Sequence, residues 1–167
     1  MTLEKFKTGN TAVIGFSTDD EDLNAYLDTF GNRIVITEIE EEDGEPTGNF
    51  WGVNLTHKVH CPYHLEARDI TNIDETNYNV EDFANFKTFK DWSELAKGDT
   101  IVIKTVDQYD EDGDEITELV EKYACCFLKV LAISEDRNEF GERTVTAQSR
   151  EGDIVTFTET EIDSIIG

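Results

Sequence analysis

The feature that most constrains this chain is a pattern of short alternating strands stated twice. "KTGNTAVI" at 7–14 lines up with "AKGDTIVI" at 96–103, and "RIVITEIEEEDGEPTGNFWGV" at 33–53 with "FLKVLAISEDRNEFGERTVTA" at 127–147. "YHLEARDI" at 63–70 then parallels "VTFTETEID" at 155–163, reading as an acidic strand that closes each copy. The segments are β-branched, alternate in polarity and are bounded by Gly, Asp and Asn, which is the mark of half-buried antiparallel strands. A repeat of this kind predicts two copies of one small β fold. The expected organisation is a first domain over 1–71, a connection over 72–92 and a second domain over 93–167.

The copies differ between their first and second strands. "EDLNAYLD" in 17–32 has the spacing of a helical turn, whereas "DQYDEDGDEITELVEKY" reads as two strands joined by a hairpin turn at Asp112-Gly113. In the connection, "VEDFANFKTF" is compatible with a short helix, and its three Phe predict packing against a folded body.

"WSELAKGDTIVI" at 92–103 resembles the opening of an SH3-like, KOW- or Tudor-type barrel, in which a Leu-x-x-Gly-Asp turn leads into a buried strand. "GNFWGV" and "YHLEARDI" are similar to the middle hairpin and closing strand of such barrels. The fold class this resemblance implies is mainly β, two tandem SH3-like small barrels joined by a partly helical linker. Tandem barrels in a small acidic chain also resemble early proteins of large bacteriophages, which implies a role in host takeover. Fold likeness leaves the function to be argued from the residues.

The charge narrows that function. Fourteen basic residues against thirty-eight acidic ones give a net −24. Such a field repels nucleic-acid phosphate and anionic membrane, and attracts basic proteins and divalent cations. The acids cluster at Asp19-Asp20-Glu21-Asp22, at Glu38, Glu40, Glu41, Glu42, Asp43 and Glu45, at Asp110, Glu111, Asp112, Asp114 and Glu115, and along the last strand at Glu159, Glu161 and Asp163. On a strand, alternate carboxylates stand about 6.6–7 Å apart, and neighbouring strands about 5 Å. By analogy with DNA-mimic proteins, that array imitates a phosphate backbone. The reading that follows is a non-enzymatic binding protein that engages a basic host nucleic-acid-binding protein or defence nuclease. Its predicted contacts are the acidic tips at 38–45 and 110–115, with Trp51, Tyr109 and Phe140 as anchors.

Two other readings stay open. A KOW/Tudor-type transcription or nucleoid factor, touching nucleic acid or RNA polymerase, needs Lys58, Arg68, Lys87, Lys90 and Lys97 on one face. A metal-binding module would use "HKVHCPYH", which brings His57, His60, Cys61 and His64 into eight residues. Zinc sites usually draw ligands from two separated pairs, and no second Cys/His cluster exists. The simpler reading is exposed imidazoles about a Pro62 turn, with His57, Val59 and Cys61 on one strand face and Lys58 and His60 on the other.

The remaining chemistry is sparse. "DQYDEDGDEITEL" departs from a calcium loop, with Gln108 at its first position and Leu119 at its last. No nucleophile elbow, P-loop or dinucleotide fingerprint occurs, so neither an enzyme nor a cofactor is expected. Three cysteines make no disulfide framework, and Cys125-Cys126 in "YACCFLKVLAI" read as small apolar strand residues. Without a long apolar run or a signal-like leader, the expected location is cytoplasmic.

Overall fold

The computed structural model describes residues 3–17, 19–104 and 117–167. The chain forms two compact units, Met1–Thr88 and Phe89–Gly167. It is mainly β, with one antiparallel sheet in each unit.

The first unit begins with β1 (Thr11–Ile14), followed by the helix α1 (Glu21–Phe30) and the long hairpin β2 (Arg33–Glu42) and β3 (Glu45–Asn54). Two short strands, β4 (Val59–His60) and β5 (Leu65–Glu66), lead through a 3-10 turn at Ala67–Asp69 into β6 (Ile70–Asp74). The sheet order is β4-β3-β2-β1-β6, with β5 also paired to β3. In α1, Leu23, Tyr26, Leu27 and Phe30 recur on one face and are all buried. Asp20 caps the helix by accepting a hydrogen bond from the Leu23 amide at 2.9 Å. Gly31, at φ 88°, ends it by donating to the Leu27 carbonyl.

The second unit opens with β7 (Phe89–Lys90), a 3-10 turn at Trp92–Glu94 and β8 (Thr100–Ile103). The helix α2 (Glu118–Tyr123) precedes β9 (Phe127–Ile133), β10 (Thr144–Gln148) and β11 (Ile154–Thr158). A 3-10 turn at Glu159–Glu161 then delivers β12 (Ile162–Ile166). The order is β11-β10-β9-β8-β12-β7. Leu128 and Val130 of β9, Val145 and Ala147 of β10 and Phe157 of β11 pack with Ile101 and Ile103 around Val120 and Tyr123 of α2. Each such Leu, Ile, Val or Phe contributes about 1.5–3 kcal/mol on burial.

The two units share more than sheet content. In each, the strand before the helix (β1 or β8) lies between the strand after the helix and the last strand paired to it (β6 or β12), and a 3-10 turn precedes that last strand. The segments aligned by sequence fall on corresponding elements: β1 with β8, β2–β3 with β9–β10, and β5–β6 with β11–β12.

Several local expectations change. The stretch 118–123 is helix rather than a second strand, because Thr117 caps it through the Val120 amide and turns Val120 and Tyr123 to the core. The Asp112-Gly113 hairpin lies outside the described residues. Cys125 and Cys126 sit in a turn before β9, with Cys125 at φ 59°, so they are not strand residues. The acidic closing strands are interrupted. Glu159 and Glu161 occupy a 3-10 turn, and Glu161 is buried, accepting from the Thr158 amide and the Thr117 hydroxyl.

The stretch 72–92 is divided between the units. Ile70–Asp74 is a strand paired to β1, and Val80–Phe83 is a 3-10 turn whose Phe83 packs on Val35 and Val53. Phe89–Lys90 instead pairs with β12. Val35 and Val53 are neighbours in the β2–β3 ladder, so Phe83 covers a sheet face that would otherwise expose them.

Candidate functional site: an acidic hairpin with a bulged root

The β2–β3 hairpin closes on a two-residue turn, Asp43-Gly44, with φ of 53° and 82°. Positive φ at both positions suits the right-handed twist of the flanking strands, and Asp-Gly supplies it at little cost. The turn sets Glu42 directly opposite Glu45. Like charges facing across a strand pair are destabilising. Glu41, Glu42, Asp43 and Glu45 are all exposed, and Glu38 is exposed lower on β2. Among the described residues, none of these five makes an ion pair.

The ladder is not regular. Its register slips between Ile36 and Glu38, where Thr37 is an extra residue on β2, and again between Ile39 and Glu41, where the extra residues are on β3. At the second slip the single Glu40 stands against Thr47, Gly48 and Asn49 of β3, and Gly48 takes φ 99°. Only a residue without Cβ adopts that conformation freely. Glu40 is drawn into the hairpin. Its Oε2 accepts from the Thr47 hydroxyl and from Asn49 Nδ2 at 2.8 Å. The Thr47 bond, then the Asn49 bond, hold its carboxyl below the usual range. Of the six predicted acids, Glu40 therefore braces the hairpin, while the other five face solvent.

Trp51 lies across from Glu38 and is half-buried, with its ring 6.1 Å from that of His64. Tyr109, Asp110, Glu111, Asp112, Asp114 and Glu115 lie outside the described residues. Phe140, at the β9–β10 turn of the second unit, is 79% exposed.

The histidine segment spreads over three aromatic partners. The His57 ring meets Phe30 at 5.6 Å, His60 meets Phe86 at 6.3 Å and His64 meets Trp51. Cys61 is buried, its Sγ 3.0 Å from the Tyr26 hydroxyl. Burial pushes the thiol up to about 12 and the Tyr26 phenol up as well, and it pushes His57 down. Among the described residues, no three His, Cys, Asp or Glu side chains gather as a metal-holding group. Val59 and Cys61 are both buried, but His57 and Lys58 lie in a turn, Lys58 at φ 54°, and β4 ends at His60, so the strand face expected over His57, Val59 and Cys61 does not form.

Lys58 and Lys87 are joined by the Lys87 amide donating to the Lys58 carbonyl. Arg68 is paired with Glu66, and Lys90 with Asp99 at 2.9 Å. Sequence reasoning missed the recess beside the bulge, lined by Thr47, Gly48, Asn49, Glu66, Ala67 and Arg68. The available signal was Gly48 itself, an isolated glycine inside a strand pattern. Among the described residues, no helix is long and apolar enough to cross a membrane. No protein-family model, curated protein or solved structure matches this chain.

Proposed function

We propose that this is a non-enzymatic acidic binding protein whose β2–β3 hairpin engages a basic protein partner. The observation that carries the reading is the hairpin tip. Glu38, Glu41, Glu42, Asp43 and Glu45 are displayed on a folded scaffold without ion-pair partners, at the cost of facing like charges. A tip that a fold maintains against its own repulsion is better explained by an external cation source than by solubility alone. Such a surface raises association rates with basic partners and loses affinity with salt.

The partner class follows from the same chemistry. Net charge is shared evenly, with 18 acids against 6 bases in the first unit and 20 against 8 in the second, −12 in each. Nucleic acid is repelled by both, so a protein that itself binds nucleic acid is the fitting target, engaged through mimicry of phosphate. The common strand order and the 3-10 turn before the last strand support taking each unit as an SH3-like small barrel. With that goes the resemblance to acidic phage early proteins and a target in the host, a nucleic-acid-binding protein or a defence nuclease. The transcription-factor reading has less support, since two of its five bases are held in ion pairs with neighbouring acids.

The test is an affinity pull-down from bacterial lysate at about 50 mM salt, with and without nuclease, eluted to about 500 mM. Basic proteins retained after nuclease treatment and released by salt are the expected result. Retention that vanishes with nuclease would overturn mimicry in favour of direct nucleic-acid contact.

A further inference from the structure

The internal repeat makes the second unit a template for the first, and the match holds residue by residue around β6 and β12. Thr11, Ala12, Val13 and Ile14 of β1 face Asp74, Ile73, Asn72 and Ile70 of β6. Thr100, Ile101, Val102 and Ile103 of β8 face Ile166, Ile165, Ser164 and Ile162 of β12. Each last strand carries an extra residue at the same step, Thr71 in β6 and Asp163 in β12. The surrounding bonds repeat as well. The Ile36 and Val130 amides donate to the Asn10 and Asp99 carbonyls, those of Ile14 and Ile103 to Asn32 and Cys126, and those of Gly15 and Lys104 to Asp69 and Glu161. Ile73 therefore holds the position in its unit that Ile165 holds in the other.

At that position the two edges differ. Asn10 and Ile14 turn their backbone groups toward β2, so strand alternation turns those of Thr11 and Val13 toward β6. Asp74 and Asn72 answer them, and Ile73, between the two, presents its N–H and C=O on the outer edge. In the second unit a strand meets the equivalent edge: Ile165 pairs with Lys90 of β7 and Ile166 with Phe89. β6 instead ends its sheet, and among the described residues no strand pairs with its outer side.

Charge decides what fits that edge. Residues 69–86 hold Asp69, Asp74, Glu75, Glu81 and Asp82 and no Lys or Arg. Asp74 is paired with Arg33, whereas Asp69 and Glu75, at the two ends of β6, make no ion pair among the described residues. Lys90 of β7 reaches Asp99, whose place the first unit gives to the neutral Asn10, so a base on β6 would be answered from the strand's ends. A second copy of this chain would bring the same acids and a charge of −24 against themselves. An extended segment carrying bases is attracted instead.

We propose that the outer edge of β6 takes an extended, Lys- or Arg-bearing segment of the basic partner as an added antiparallel strand, in the place that β7 fills in the second unit. The inference rests on the acidic-binding reading and adds where, and in what form, the partner's chain is held. Carboxylates supply the attraction, and the backbone of Ile73 supplies the register.

Amide exchange in the wild-type chain tests the open edge first. The Ile73 N–H should exchange quickly, while the Ile165 N–H, which faces Lys90, is protected. Ile73 protection equal to that of Ile165 overturns the open edge, and Ile73 protection that rises with protein concentration gives the edge to a second copy and overturns the proposal. The probe is then an alternating Lys-Val peptide of about eight residues, set against the same peptide with every backbone N–H methylated, at about 50 mM salt. Both carry the same charge, but the methylated peptide has no hydrogen to donate to a strand. The unmodified peptide should slow Ile73 exchange about tenfold at saturation, and the methylated one should bind about tenfold more weakly. Equal binding of the two, or binding that leaves Ile73 exchange unchanged, overturns strand addition and leaves the acidic-surface reading standing. Absence of binding by either peptide overturns both.

Discussion

The same hairpin position carries opposite electrostatic solutions in the two units. In the first, β2–β3 ends in a tight Asp-Gly turn, and its tip holds acids without a base. In the second, β9–β10 ends in a longer loop organised by Asn138, whose Oδ1 accepts from the Phe140 and Glu142 amides. That loop carries bases as well as acids, and its bases reach a carboxylate outside it. Arg143 donates to Glu159 at 2.6 Å and to the Trp92 carbonyl at 2.8 Å, and Arg137 approaches the same Glu159. Equal net charge in two units thus produces one acidic edge that carries no base and one loop that mixes acids with two arginines and exposes Phe140. Net charge does not locate an interaction surface. The distribution of partners does.

The largest effect available for separating the units is in their cores. Phe50 lies in β3 at the hairpin's base and Phe157 in β11, both fully buried. Truncating either to alanine should cost about 3–5 kcal/mol. Hydrogen exchange should show the loss in the unit that carries the substitution, with the other unit keeping its protection. Equal loss of protection in both would mean that the units unfold together, and hairpin effects could not then be assigned to one of them.

Next in size is the comparison of tips. Replacing Glu38, Glu41, Glu42 and Glu45 by Gln, with Asp43→Asn, should weaken a basic partner about 10- to 100-fold and flatten its salt dependence. Replacing Glu135, Asp136 and Glu139 by their amides should do less, because Arg137 and Arg143 in the same loop lower its net negative charge and weaken its pull on a basic partner. Equal effects from the two sets would show that only total charge matters, and the distinction between the tips would fall.

How much of this was legible depends on whether the signal was local. The strands were legible because β-branched alternation and Gly-Asp boundaries act within a few residues. So was a helical turn at "EDLNAYLD", which the structure extends to Phe30. The helix at Glu118–Tyr123 was missed because an acidic, Gly-containing run upstream suggested a hairpin, while the cap at Thr117 was only one residue of evidence. The five free acids of the tip were visible in the sequence. The diversion of Glu40 was not, since it depends on a register slip that brings Thr47 and Asn49 to one side chain. The histidines were close in sequence but separated in space. Phe30, Phe86 and Trp51 are distant along the chain, and each takes one ring.

A smaller effect tests the cost of the tip directly. Glu45→Lys turns the opposed Glu42–Glu45 pair into an attractive one, so thermal stability should rise by about 0.2–1 kcal/mol at low salt. The gain should shrink as salt is added, since the pair is exposed. If the substitution leaves stability unchanged at low salt, the tip is not under like-charge strain, and the argument that an external partner relieves it loses its basis.

The smallest expected effect lies at Glu40 and decides whether the bulge is held by its side chain. The Thr47 and Asn49 bonds favour the charged carboxylate and depress its folded pKa relative to the unfolded chain. The sign follows from linkage. The stabilisation is fully present above the unfolded carboxylate pKa and is lost as pH falls through the depressed folded value. Thr47→Val removes the larger of the two bonds, so the Glu40 carboxyl should titrate at higher pH when followed by carbon-detected NMR. A Glu40 titration that does not move would mean the hydroxyl contact is incidental, and that Gly48 alone, through its φ of 99°, fixes the bulge and the recess beside it.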